Sequence, residues 1–337
     1  MTNPRVRIPG QSAHLIRRCR RGQHLLTPCA ATNAVMAYEI AHSSLHADVQ
    51  VSGAMIMSNH YHIMVYDRHG SRSDFLQKLN RDITRRLKRR YDYEGSTWEA
   101  KQFTDVAVGA CRELATLVYI WTNPVKDGLV EHPDDWPGFQ IQPEDWGKER
   151  IIKKPDRHYG RSGPKQIKFT PQPPTGLRHL PLEEARAIAI EQRDARLKEL
   201  ATQRKRSKQR VKGRRAVLNT SHTFVPSSAP VSEGSCNRFS FECPKTEALV
   251  EQLYRDFLDD YETQRQRWVL GQDAEFPCGT LELRKQAPIR CKPRPKHFPG
   301  IYIPPEETTS PPISASPVAN DDAPRSPDDL PRRAPDG

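Results

Sequence analysis

Met57-Ser58-Asn59-His60-Tyr61-His62-Ile63-Met64-Val65 is the stretch on which the fold reading turns. From His60 to Tyr66 it reads as a β-strand, and successive strand side chains point to opposite faces. His60 and His62 therefore share one face, Tyr61 and Ile63 the other. Two imidazoles on one face can hold a divalent metal while leaving positions open for water or a substrate oxygen. Further along, Tyr119 and Asn123 stand four apart in an apolar run with helical character, which places both on one face of a helix. Packed over the histidine strand, that face would add an amide oxygen and a phenol to the imidazole pair.

Outward from this strand the pattern is one of alternating short strands and helices. A candidate strand lies around His14 to Cys19, a helix over Ala30 to Leu45, and a second strand from Val49 through Met57. Phe75, Leu79, Ile83 and Leu87 recur every four residues, with Arg81, Arg85, Arg86, Lys88, Arg89 and Arg90 between them. One side of that helix should pack and the other carry strong positive charge. A turn is expected at Gly95-Ser96, a strand at Thr104 to Val108 and a helix from Cys111 to Thr122, which Pro124 should end or bend. Helices interleaved with strands over about 140 residues indicate a sheet covered by helices.

The chain has 337 residues, only 36% of them apolar, and 30 prolines, so a single compact core is not expected. Fifty-three Lys and Arg against 41 Asp and Glu give a net charge of +12, which favours a polyanion, nucleic acid before a membrane surface. No run of about 18 apolar residues exists to span a bilayer, and the first residues lack a secretory apolar stretch. A cytoplasmic protein is expected. Seven cysteines without a Cys-x-x-Cys pair support neither a disulfide framework nor a zinc ribbon.

Four regions are expected: a catalytic domain over 8–146, a basic Pro/Gly-rich linker over 147–180, a helical region of open role over 181–303, and a disordered Pro-rich tail over 304–337. The helical region should hold a long polar helix from Leu182 to about Arg215 and an amphipathic one from Lys245 to Leu270. The first ends in Arg204 to Arg215, eight cations in twelve residues, which repel one another unless a polyanion is present.

Two blocks carry a resemblance. Asn59-His60-Tyr61-His62 followed by Ile63-Met64-Val65, then the basic helix with Gly95-Ser96-Thr97-Trp98, then Tyr119-Ile120-Trp121-Thr122-Asn123-Pro124-Val125-Lys126-Asp127-Gly128-Leu129-Val130, resemble the single-tyrosine transposases of the histidine–hydrophobic–histidine (HUH) nuclease superfamily. Among these the chain is most similar to REP-associated tyrosine transposases. The resemblance covers roughly Ile8 to Trp146. Ser58 stands where the family usually has proline, and Tyr61 is bulkier than the usual residue between the histidines.

What the resemblance implies is an α+β fold, a ferredoxin-like antiparallel sheet covered by helices, with the histidine strand in its centre. It also implies a Mg²⁺ or Mn²⁺ cofactor held by His60, His62 and Asn123, and cleavage and rejoining of single-stranded DNA near a hairpin through a 5′-phosphotyrosine on Tyr119. Arg81, Arg85, Arg86 and Arg89 are the expected DNA contacts. A nickase that does not transpose, and an idle nucleic-acid-binding descendant, are the alternatives. Monomer and homodimer are both open.

Overall fold

The sheet is built around β1 (Gln11–Arg18), which is hydrogen-bonded on both sides. The computed structural model describes residues 6–7, 9–100, 102–155, 163–227, 237–241, 244–280, 283 and 287–293. After β1 come α1 (Ala30–Ala47), β2 (Val49–Ile56), β3 (His60–Asp67), α2 (Arg72–Tyr91), β4 (Phe103–Val108) and α3 (Ala110–Lys126). Strand order β2-β3-β1-β4, antiparallel at each pairing, makes this unit a ferredoxin-like α+β fold. A short β5 (Gln140–Ile141) extends the sheet beside β2.

The two faces of the sheet are sorted by the period of two. Ala13 and Leu15 of β1, with Tyr61, Ile63 and Val65 of β3, join Phe75, Leu79, Ile83 and Leu87 of α2 and the inner side of α1 in one core. On the opposite face Met64 and Ala107 pack with Leu117, Val118 and Trp121 of α3. The carboxylate of Asp67 starts α2 by accepting from the amides of Ser71 and Arg72, and Cys29 starts α1 by accepting from the Thr32 amide.

The seating of α3 depends on Gly53, since a Cβ there would lie 2.5 Å from Leu117 Cδ2 and 3.2 Å from the Trp121 indole nitrogen. Three indoles tie the region down: Trp121 donates to the Ile141 carbonyl, Trp136 to Ile56 and Trp146 to Ser52. Pro124 does not end α3, as its sequence context suggests, but sits in the last turn. The carbonyls of that turn are capped by downstream amides, Asp127 to Asn123 and Leu129 to Pro124.

The later part of the chain is built onto this unit. Residues 147–180, read as a linker, contain an antiparallel ribbon of β6 (Arg150–Lys153) and β7 (Gln166–Phe169). The long helix expected to Arg215 is divided. α4 (Leu182–Ser207) packs on α3 and ends at Lys208 in the left-handed region, and α5 (Arg214–Leu218) follows. Repulsion within the basic run gives no reason for a helix to continue through it, and Gly213 has a φ of 84°. Next, β8 (Asn237–Phe241) joins the edge of the sheet parallel to β4, and α6 (Pro244–Val269) follows. The short β9 (Glu275–Phe276) and β10 (Arg290–Cys291) pair with each other. The tail expected to be disordered, 304–337, lies outside the described residues. Among the described residues no helix is long and apolar enough to cross a membrane.

Candidate active site

The sheet face under α3 is unusually polar. His60 and His62 project from β3 toward α3, and His14 projects from the adjacent β1. His62 and His14 are fully buried, and His60, Tyr119 and Asn123 retain 5%, 6% and 2% of their surface. A buried polar group normally has a partner, so this cluster asks for an explanation.

The imidazoles form a chain. His60 Nδ1 donates to Asn59 Oδ1 at 2.7 Å, which leaves its Nε2 with a lone pair when the ring is neutral. That Nε2 lies 2.9 Å from His62 Nε2, and His62 Nδ1 lies 2.9 Å from His14 Nε2. Two imidazole nitrogens held at about 2.1 Å from one ion and at right angles to each other stand about 3.0 Å apart. The spacing of the His60 and His62 nitrogens therefore fits two adjacent ligands of a divalent cation. Asn59, from the turn before β3, sets the ring orientation of His60 in the way that neighbours of metal-bound histidines do.

From the other side, α3 brings Tyr119 against the imidazoles. Its ring centroid lies 5.7 Å from that of His62 and 6.1 Å from that of His14, edge-on in both cases. Asn123 is one turn further along, and its buried Oδ1 has no hydrogen-bond partner. An orphaned amide oxygen on that helix face suits a third ligand, an oxygen beside the two imidazole nitrogens. The ammonium of Lys126 sits 5.2 Å from the Tyr119 ring centroid.

Electrostatics keep His14 and His62 neutral. Burial, then the charge of Arg112, pushes the His14 pKa down to about 3. His62 is held well below its usual value by burial first and then by His60, His14, Arg18 and Lys126. Neutral rings are the form that ligates metals, and the surrounding cations suit an anionic substrate such as a phosphodiester.

Of the expected residues, His60, His62 and Tyr119 are brought together, with Asn123 on the same helix face. The arginines of α2 divide. Arg81 and Arg85 lean on Asp82, whereas Arg86 is mostly buried against Glu39 of α1 and does not present a phosphate-binding group to solvent. Sequence reasoning missed His14. Its strand was anticipated, but nothing in a lone histidine indicated that β1 would lie beside β3 with His14 on the α3 face.

Another cluster, Glu39, His42 and Asp82, has ligand-capable atoms within 4.8 Å of one another on the α1–α2 side. Its carboxylates already face Arg86 at 3.5 Å and Lys78 at 2.8 Å, so it reads as an ion-pair network before a metal centre.

No protein-family model matches the chain. A putative REP-associated tyrosine transposase of Haemophilus influenzae (strain ATCC 51907 / DSM 11121 / KW20 / Rd) is 29% identical over 128 residues, covering 32% of this chain and 72% of that protein. A solved REP-associated tyrosine transposase bound to a REP hairpin is similar over 43% of this chain and 84% of its own, at 19% identity and a TM-score of 0.36.

Proposed function

From the similarity of this chain to REP-associated tyrosine transposases, we propose that it is a metal-dependent transposase that cleaves and rejoins single-stranded DNA near a hairpin through Tyr119. The observation that carries this reading is the 2.9 Å approach of the His60 and His62 Nε2 atoms with the Tyr119 ring 5.7 Å from His62. A histidine pair alone has many ordinary structural explanations. A buried pair sharing its space with a phenol, an orphaned amide oxygen and cations has few.

The residues divide the work as follows. His60, His62 and Asn123 would hold Mg²⁺ or Mn²⁺, which when bound withdraws charge from the scissile phosphate and orients its oxygens. Tyr119 Oη attacks phosphorus in line, and the bond to the 3′ oxygen breaks. The proton lost by the phenol ends on the released 3′-hydroxyl, and the 5′ side stays on the enzyme as a phosphotyrosine. Because one phosphodiester replaces another, a 3′-hydroxyl can attack the phosphotyrosine and reverse the step, which is rejoining. A tyrosine hydroxyl near its ordinary pKa of about 10 is a weak nucleophile, so charge stabilisation must supply the help. Lys126 is placed to share in that, its ammonium facing the ring that carries the attacking oxygen.

The test is direct. The protein is incubated with end-labelled hairpin DNA and Mn²⁺, and the products are run on a denaturing gel. A covalent adduct is expected with the natural chain and not with Tyr119→Phe. An adduct that persists in the variant would move the nucleophile to another residue.

A further inference from the structure

The basic run after α4 does not trail away from the protein. Lys212 and Gly213 donate their amides to the carbonyls of Gly128 and Leu129, each at 2.9 Å, immediately beyond the end of α3. Val217 is buried in the core beneath that helix. At its far end the segment is held by the loop after β1, where the His24 amide donates to the Phe224 carbonyl at 3.0 Å and Gln23 Nε2 to that of His222. The same loop is tied to the histidine turn, Leu26 to the Ser58 carbonyl and Cys19 to that of Asn59. Residues 208–225 thus run from the helix of Tyr119 to the loop behind His60, along one border of the site.

The chemistry of this border is specific. Lys205, Arg206, Lys208, Arg210, Lys212, Arg214 and Arg215 are all exposed, and none is paired with a carboxylate among the described residues. On α2, by contrast, Lys78, Arg81 and Arg85 share Asp82. Lys212 donates to the Thr220 hydroxyl at 2.9 Å and lies 5.9 Å from the Phe224 ring centroid, and Arg214 donates to the Asp135 carbonyl at 3.2 Å. Aromatic rings lie among these cations. Phe224 is 47% exposed with its ring 4.8 Å from that of His24, and His222 stacks on Tyr91 at 3.9 Å and 7°. Cations without carboxylate partners along a backbone track, with aromatic rings between them, are the combination that binds single-stranded nucleic acid.

We propose that residues 208–225 are the track that holds the single-stranded DNA leading into the tyrosine site, with Arg210, Lys212 and Arg215 on phosphates and Phe224 as a platform for a base. This rests on the proposed DNA chemistry and extends it to a segment outside the resemblance.

Full-length protein is titrated by fluorescence anisotropy with a single-stranded oligonucleotide of about twelve nucleotides, with a blunt duplex and with RNA of the same sequence, across a range of salt. The triple variant R210A/K212A/R215A should bind the single strand roughly 10- to 100-fold more weakly, with a salt slope smaller by about 2, at about 0.7 per lost phosphate contact. Phe224→Ala should weaken single-strand binding roughly 5- to 150-fold without changing the slope. Duplex binding should hardly move in either variant. An unchanged slope, an equal loss on the duplex, or tighter binding to RNA overturns the proposal. If the natural chain forms no adduct while the slopes shift as stated, the track stands and the tyrosine chemistry fails.

Discussion

Nε2 of His14 lies 2.9 Å from Nδ1 of His62, joining two buried imidazoles from neighbouring strands. For His62 Nε2 to offer a lone pair to a cation, the ring proton must sit on Nδ1, and His14 is the acceptor that holds it there. His14→Phe should lower Mn²⁺ affinity by roughly 10- to 100-fold in isothermal titration calorimetry, with the far-ultraviolet circular dichroism unchanged. His14→Gln, which keeps an acceptor, should recover part of the loss. Natural affinity in His14→Phe would remove His14 from the site.

The same pair gives the fold a pH dependence. In the unfolded chain both rings titrate near 6.5, whereas the folded chain keeps His14 neutral down to about pH 3 and His62 neutral well below its usual range. Below about pH 6.5 the unfolded state therefore binds more protons. Stability is complete above that pH and falls as the pH drops, by up to about 1.4 kcal/mol per pH unit for each ring. Urea unfolding of the metal-free protein from near pH 7 to near pH 5 should show this, and His14→Phe should lose about one ring's share of the slope. Identical slopes in the two proteins would contradict the assignment.

The two groups able to attract a cation are separable. His60→Ala should abolish measurable Mn²⁺ binding, while Asp82→Asn should leave it intact and cost stability instead, because Lys78 and Arg81 lose their shared carboxylate. Calorimetric titration of both variants decides, and loss of binding in Asp82→Asn would shift the metal to the α1–α2 side.

Gly53→Val should lower stability by about 1–3 kcal/mol in urea unfolding, since the added carbons meet Leu117 and Trp121 where α3 rests on β2. Because Trp121 is two residues from Tyr119, adduct formation should slow as well. A variant of natural stability would mean that α3 can lift without cost.

Glu113 links the start of α3 to the segment before α4. It accepts from the Thr175 hydroxyl at 2.5 Å and the Gly176 amide at 2.9 Å, and burial raises its pKa against the pull of those hydrogen bonds. Glu113→Ala should cost about 3 kcal/mol, as buried donors lose their acceptor, and Glu113→Gln clearly less. Equal losses in the two would make charge, not hydrogen bonding, the relevant quantity.

Much of the unit built on β1 to α3 was legible because its periodicities are clean. The alternation through His60 to Tyr66 and the four-residue recurrence of Phe75, Leu79, Ile83 and Leu87 lead to the observed strand and helix. Pro124 marks the end of α3 only to within two residues, because the rule for the residue before proline is local and the helix runs on to Lys126. His14 was invisible as a site residue because strand order is a long-range property. The same holds for Arg86, whose place in a basic run gives no sign that Glu39 draws it inward. The ribbon of β6 and β7 was hidden by the Lys, Gly and Pro content of the surrounding segment.

The parallel pairing of β8 with β4 ties the reach of the molecule to its folding. Phe239 and Phe241 on that strand, with Val250 of α6, cover Val106 and Val108. A fragment stopped at residue 146 would lay bare a row of amides and carbonyls beside a greasy strip, an invitation to sticky self-association. Domain dissection of this protein should therefore begin from the whole chain, because its later half serves as scaffolding for the earlier one.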